Sequence, residues 1–294
     1  MLQCKIERKF LKHPIIPKKV YMFTPSDEFV FVNGIKIHYY RTGGNKPPLV
    51  LAHGITDDGM CWSPVAEVLA KDFDVVMVDA RGHGKSDAPE DGYTLQNLGA
   101  ELAGVVQELK LDKPILLGHS MGAITALVAA GLYPSMPRAI LLEDPPPFWM
   151  NVAGAARDES FKIGFTMWIN AIKRKTRDEL LSECREQNPA WSESEIEPWI
   201  NSKHRVSPKV TALIDPPDMI SIDMPNLFKK ITCPTLFISA ETKRGAASSE
   251  KDINQIKTYI PHMQATHIAD AGHNIRREQF ATYLESIQAF MKGL

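Results

Sequence analysis

Five short apolar runs constrain this chain more than any other feature. PPLVLAHG (47–54), DVVMVDARG (74–82), PILLGHSMG (114–122), RAILLEDPPP (138–147) and PTLFISAE (234–241) are apolar on both faces, and each ends in polar or Gly-rich residues. Strands of that kind belong in a parallel sheet covered by helices on both sides. The segments between them carry helical stripes. Leu95, Leu98, Leu102, Val105, Val106 and Leu109 share one face over 95–109, and Phe280, Tyr283, Leu284, Ile287 and Phe290 share one over 280–291. QATHIA (264–269) reads as a last strand. Alternation of this kind predicts an α/β fold, a mostly parallel central sheet flanked by helices, with right-handed crossovers. Ahead of the alternation, FVFVNGIKIHYY (29–40) brackets Asn33-Gly34, a pair suited to a tight hairpin turn.

Two regions break the pattern. Residues 1–28 are Pro- and Lys-rich without periodicity and read as an N-terminal extension. Residues 148–230 hold no convincing strand, whereas 161–187 and 191–204 read as two helices, the second capped by Ser192 or Ser194. A helical insertion between two sheet strands reads as a cap over a core formed by 29–147 and 231–294. The basic run Lys173, Arg174, Lys175 and Arg177 reads as a solvated helix face rather than an anion site.

The 294 residues have a formal net charge of -1, which gives no basic field to attract nucleic acid or an anionic membrane. No apolar run of about 18 residues is present to span a bilayer. Cys4, Cys61, Cys184 and Cys233 lie far apart, with no zinc or disulfide spacing. The N-terminus lacks an apolar secretory core. A cytoplasmic protein acting on a small molecule is the expectation.

GHSMG (118–122) fits G-x-S-x-G, directly after one predicted strand and before a helical stretch. A sharp strand-to-helix turn lifts the Ser120 hydroxyl clear of the sheet, and the helix N-terminus that follows favours developing negative charge. A nucleophile attacking a carbonyl also needs donors already aimed at the oxyanion. The backbone N–H of Met121 is one. LAHGIT (51–56), after an earlier strand, offers the N–H of Ile55 as the second.

HGIT, DARGHGKS (79–86), GHSMG and AGHNI (271–275), in that order over residues 29 to 294, resemble the α/β-hydrolase fold superfamily, in its serine esterase and lactonase branch. The resemblance implies a Ser-acid-His order along the chain, with the base in the loop after the last strand, at His273. It also implies that the acid commonly follows the strand PTLFISA. There this sequence offers Glu241, then Thr242, with Lys243 at the usual place of the carboxylate. Lysine cannot accept the imidazole N–H. Some branches, haloalkane dehalogenases and certain lactonases among them, carry the acid after the preceding strand instead. Here that strand ends in Glu143-Asp144, and Asp144 lies 24 residues beyond Ser120. The expected triad is Ser120, His273 and Asp144, with Glu241 as the alternative acid. DARGHGKS reads as architecture, with Asp79, Arg81 and Ser86 tying loops together.

A serine nucleophile argues for acyl transfer to water and against the alkyl-enzyme chemistry of dehalogenases and epoxide hydrolases. It requires no cofactor and no metal. Phe148, Trp149, Met150, Phe165 and Trp168, with Phe161 and Met167, make the start of the cap apolar. Together they point to lipophilic esters or lactones as substrates. A carbon–carbon bond hydrolase of the same fold and a non-catalytic small-molecule receptor are the rival readings. The sequence leaves the oligomeric state open.

Overall fold

The computed structural model describes residues 24–147, 159–214 and 222–294. Eight strands form one sheet in the order β1-β2-β4-β3-β5-β6-β7-β8. They are β1 (Ser26–Val32), β2 (Ile35–Arg41), β3 (Pro48–Ala52), β4 (Asp74–Val78), β5 (Ile115–His119), β6 (Ala139–Glu143), β7 (Thr235–Ser239) and β8 (Gln264–His267). β1 and β2 form the antiparallel hairpin, turning at Asn33 and Gly34 with φ of 51° and 79°. That pair of positive φ values is what Asn-Gly supplies at least cost. β2 joins β4 antiparallel, and every pairing from β4 through β8 is parallel. β1 begins at Ser26, inside the stretch read from sequence as extension, because the backbone there pairs with Arg41.

The five both-face-apolar runs are β3 to β7, and every residue of β4 to β7 is buried. Side chains alternate across each strand, so Val50, Val76, Leu116, Ile140 and Phe237 feed one core. Leu49, Leu51, Val75, Leu117 and Leu141 feed the other. The first core is covered by α2 (Leu95–Glu108) and α3 (Met121–Leu132). The second is covered by α1 (Ser63–Leu69) and the C-terminal helix Phe280–Lys292.

Between β6 and β7 the described chain is helical: α4 (Glu159–Arg174), α5 (Arg177–Gln187), α6 (Glu193–Arg205), a 3-10 segment, Pro208–Ile214, and a short helix, Met224–Phe228. Apolar periodicity predicts one helix over 161–187, and the structure breaks it at Lys175-Thr176. The Thr176 hydroxyl accepts from the Glu179 N–H while the Glu179 carboxylate accepts from the Thr176 N–H. A reciprocal cap of this kind starts a new helix. Ile172, Leu180, Cys184, Trp191, Ile196 and Ile200 form a small core of these helices' own. The basic run lies at the surface, as expected, with Lys173, Arg174 and Arg177 exposed, and three of its four cations find partners there. Lys173 donates to the carbonyls of His204 and Val206, Lys175 pairs with Glu183, and Arg177 pairs with Glu197. Among the described residues no helix is long and apolar enough to cross a membrane.

α2 lies against α3 where Gly99 has no side chain. A Cβ there would stand 2.6 Å from Val128 Cγ1 and 3.0 Å from the Ala129 backbone nitrogen. Gly99→Ala is therefore expected to destabilise the protein by about 1–3 kcal/mol in denaturant unfolding. Unchanged stability would show that α2 can shift without cost.

Candidate active site

The parallel register brings the carboxyl ends of β3, β5 and β6 level, with Ala52 opposite Gly118 and Gly118 opposite Leu142. Ligand sites of open α/β sheets form outside these strand ends. Ser120 follows β5 and turns straight into α3 with φ 52° and ψ -115°. That conformation is costly for any residue with a Cβ, and its persistence at a strand end marks a site. Its neighbours must be glycine. A Cβ on Gly122 would lie 2.0 Å from the Ala52 carbonyl oxygen, and one on Gly118 would lie 2.2 Å from the Gly122 carbonyl oxygen. The Ser120 N–H donates to the Glu143 carbonyl at 2.9 Å, which fixes the turn to the end of β6.

The Ser120 hydroxyl lies 3.0 Å from His273 Nε2, and His273 Nδ1 lies 2.6 Å from Asp144 Oδ2. With Nδ1–H donating to the carboxylate, Nε2 is the ring nitrogen able to accept the hydroxyl proton. Asp144 is fully buried and sits at φ 42°. Its Oδ2 also accepts the Ala247 N–H at 2.7 Å, and its Oδ1 accepts the Ser248 N–H at 3.0 Å. The loop after β7 thus contributes two backbone donors to a carboxylate that comes from the end of β6. Glu241, the alternative acid, turns away: its carboxylate pairs with Lys243 and Arg244 and accepts from the Asp270 N–H. Glu143 points to the opposite face from Asp144 and meets the Arg276 N–H and guanidinium.

The Ile55 and Met121 N–H groups, expected as oxyanion donors, make no hydrogen bond among the described residues. Both residues line a cavity of about 230 Å³ that opens on Ser120 and His273. Its other walls among the described residues are Leu95, Pro146, Phe165, Leu213, Ile214 and Ala247. Phe165 was legible from the sequence as a pocket residue. Trp168 is 43% exposed and packs on the Phe165 ring at 5.6 Å rather than lining the cavity. Phe148, Trp149 and Met150 lie outside the described residues. Leu213 and Ile214 come from the 3-10 segment, which carries no periodic signal in the sequence. Among the described residues no cluster of three or more His, Cys, Asp or Glu is arranged to hold a metal ion.

The DARGHGKS turn holds the loops behind the site. Asp79 accepts from the Gly59 and Lys85 N–H groups and pairs with His38 Nδ1 at 2.8 Å. Arg81 pairs with Glu101, and the Ser86 hydroxyl donates to the Asp79 carbonyl. His83 Nδ1–H donates to the Arg81 carbonyl, which leaves Nε2 to accept the Thr56 N–H. His119 Nε2–H donates to the His273 carbonyl at 2.8 Å, with the two rings 4.8 Å apart. Burial, followed by the nearby His53, pushes the His83 imidazole down to about 3. Burial, then the Arg276 charge, drives His119 well below its ordinary value. Both rings are neutral in the fold.

A match to the family described as alpha/beta hydrolase fold covers residues 47–276. The chain belongs to that family, and it is a hydrolase. Two curated relatives align along most of its length. N-formylmaleamate deformylase of Pseudomonas putida is 30% identical over 251 residues, 84% of this chain and 89% of the relative. 3-Oxoadipate enol-lactonase 1 of Acinetobacter baylyi is 25% identical over 262 residues, 85% of this chain and 90% of the relative. Among solved structures, the N-formylmaleamic acid deformylase of Pseudomonas putida S16 superposes with a TM-score of 0.73 at 26% identity, covering 89% of this chain and all of that one. The crystal structure of E-2-(acetamidomethylene)succinate hydrolase gives 0.77 at 21% identity, over 91% of this chain and 99% of that one, a likeness of fold.

The two neutral imidazoles have a consequence for stability. Their folded pKa values lie below the unfolded value of about 6.5, so between those limits the unfolded chain binds more protons. Their contribution is complete above about pH 6.5 and declines as pH falls, by roughly 1.4 kcal/mol per pH unit for each ring. Between pH 7.5 and pH 5.5 the two rings together should lower the unfolding free energy by about 2–3 kcal/mol, against the opposite contribution of the buried Glu101, Glu143 and Glu195, whose carboxyls burial raises. NMR titration of the folded protein showing either imidazole taking a proton between pH 7.5 and 5.5 would overturn this reading.

Proposed function

We propose that the protein is a serine hydrolase that cleaves carboxylic esters or lactones of apolar substrates through an acyl-enzyme. The observation that carries the reading is the hydrogen-bonded sequence Ser120–His273–Asp144, at 3.0 and 2.6 Å, opening into an apolar cavity. Ser120 Oγ attacks the acyl carbonyl as its proton passes to His273 Nε2. The tetrahedral oxygen takes the N–H groups of Ile55 and Met121, which have no other partner among the described residues. Asp144 holds the imidazolium and its tautomer. Collapse breaks the bond to the leaving alcohol, which receives the His273 proton. Water then attacks the acyl-enzyme, with the same nitrogen as base, and releases the acid. In a lactone the leaving alcohol remains tethered to the acyl group, and a hydroxy acid is released.

The cavity walls among the described residues include no Lys or Arg, which favours a neutral substrate over a carboxylated one. A second reading rests on the relatives. Two of them are named as hydrolytic enzymes acting on amides, N-formylmaleamate deformylase and 2-(acetamidomethylene)succinate hydrolase, so amide hydrolysis at the same serine is the competing activity. The same proton transfer would then go to a leaving nitrogen. A carbon–carbon bond hydrolase would need the same serine and base but a proton delivered to carbon, for which the described cavity offers no side-chain donor beyond Ser120 and His273.

A panel of neutral esters and lactones, N-formylmaleamate and a dienoic diketone substrate separates these activities. Ser120→Ala should abolish turnover. Asp144→Asn should lower kcat by about 10⁴-fold, as loss of the imidazole's tautomer does in serine proteases. Glu241→Gln should stay within about twofold of the wild type, since its carboxylate is engaged with surface cations. Faster turnover of the carboxylated amide than of any neutral ester would overturn the ester assignment. Near-normal turnover in Asp144→Asn with loss in Glu241→Gln would overturn the acid.

A further inference from the structure

Thr56 adopts φ 71°, and it is the one β-branched residue among the described non-glycine residues with positive φ. A β-branched side chain crowds its own backbone in that region, so something outside Thr56 must hold it there. Thr56 directly follows Ile55. Its φ therefore sets the course of the loop that carries Ile55, which lines the cavity.

The restraint comes from the cap. Lys203, near the end of α6, is fully buried, and its ammonium donates to the Thr56 carbonyl at 3.0 Å and to the Thr56 hydroxyl at 3.1 Å. It also pairs with Asp57 Oδ1 at 2.8 Å and lies 4.5 Å over the Trp199 ring. Both polar atoms of Thr56 beyond its amide are thus held by one side chain, 147 residues away in the chain. The Thr56 N–H is held separately, by His83 Nε2 at 3.3 Å.

Asp57 is held from the opposite side as well. Its Oδ2 accepts from Arg277 at 2.8 Å and faces Arg276 at 3.4 Å. Arg277 donates to the Asn274 side chain, next to His273, and Arg276 meets Glu143, next to Asp144. Burial pushes the Asp57 carboxyl up, but the Arg277, Lys203 and Arg276 charges outweigh it and hold the group well below the usual carboxylate range. The loops bearing Ile55, Asp144 and His273 therefore meet at one buried carboxylate, and α6 reaches it through Lys203.

We propose that Lys203 is a positioning residue: it keeps Thr56 in its left-handed conformation and so aims the Ile55 N–H at the reacting carbonyl, making the seating of the cap and the completion of the oxyanion hole one event. This rests on the acyl-transfer reading above. Lys203 touches no reacting atom. Without it Thr56 relaxes toward negative φ and the Ile55 donor swings from its line. The substrate cavity itself is left in place.

The test replaces Lys203 with methionine, which keeps length and removes the charge while Asp57 retains both arginines. Lys203→Met is expected to lower kcat by at least about tenfold with KM changed by less than about threefold, because a donor that strengthens only in the transition state is lost. Amide exchange over residues 54–58 should quicken in the same variant. Adding Thr56→Gly, which adopts positive φ without crowding, should restore at least about fivefold of the lost kcat. A kcat within about twofold of wild type in Lys203→Met, unchanged exchange at 54–58, or no recovery in the double variant would each overturn the proposal. If Lys203→Met does not fold, Lys203→Met/Asp57→Asn is compared with Asp57→Asn alone. The same tenfold loss is expected, and equal kcat would overturn the proposal. Ser120→Ala is run alongside. Residual turnover there would overturn the serine reading itself, whereas the exchange result bears on Lys203 whichever bond is cleaved.

Discussion

The start of α3 lies so close to the carbonyl end of β3 that no side chain fits between them, and the site depends on that approach. It fixes where the helix begins, and hence the strained turn at Ser120. It also brings the loop after β3 within reach of the same hydroxyl. Gly54 continues the approach, since a Cβ there would stand 2.7 Å from the His119 ring. Burial of β3 and β5 on both faces makes the strands rigid enough to hold such a contact. The energy stored in the turn is offset by the two cores on either side of the sheet.

Much of the frame was legible in the sequence because its signals are local. A both-face-apolar run, an Asn-Gly turn and G-x-S-x-G between strand and helix each lie within a dozen residues. Asp144 as the acid is what the resemblance to branches with a relocated carboxylate implies, together with the Lys243 that stands where a carboxylate is usual. The structure adds what the resemblance does not: the Ala247 and Ser248 amides that hold Asp144, donated by the loop from which the carboxylate is missing. The helix break at Thr176 was written in T-x-x-E, but apolar periodicity runs through it and masks the boundary.

The buried charges were not legible. Asp57, Glu143, Glu195, Lys203, Arg276 and Arg277 are ordinary polar residues in their local contexts, and nothing in their spacing joins them. Lys203 and Asp57 are 146 residues apart, and Arg277 and Asp57 are 220 apart. Only the closure of the sheet and the seating of α6 bring them together. Burial on this scale requires mutual compensation, since an isolated ion taken from water is strongly penalised. The rings of Trp62, Trp191 and Trp199 lie over Arg276, Arg277 and Lys203 and shield the cluster from solvent. His38, without an evident partner in the sequence, proves to be a buried link between Asp79 and Asp27 for the same reason.

The described cap helices are tied to the sheet at two very different depths. Their own small core makes them look like a transferable module, and Pro145 to Pro147 offers a natural splice point just beyond Asp144. Yet α6 sends one ammonium through the interface into the backbone beside Ile55. A chimera that borrowed a cap from a relative to broaden substrate range would inherit new walls and forfeit that anchor, unless the graft brought an equivalent cation. In this architecture selectivity and turnover are not separate dials.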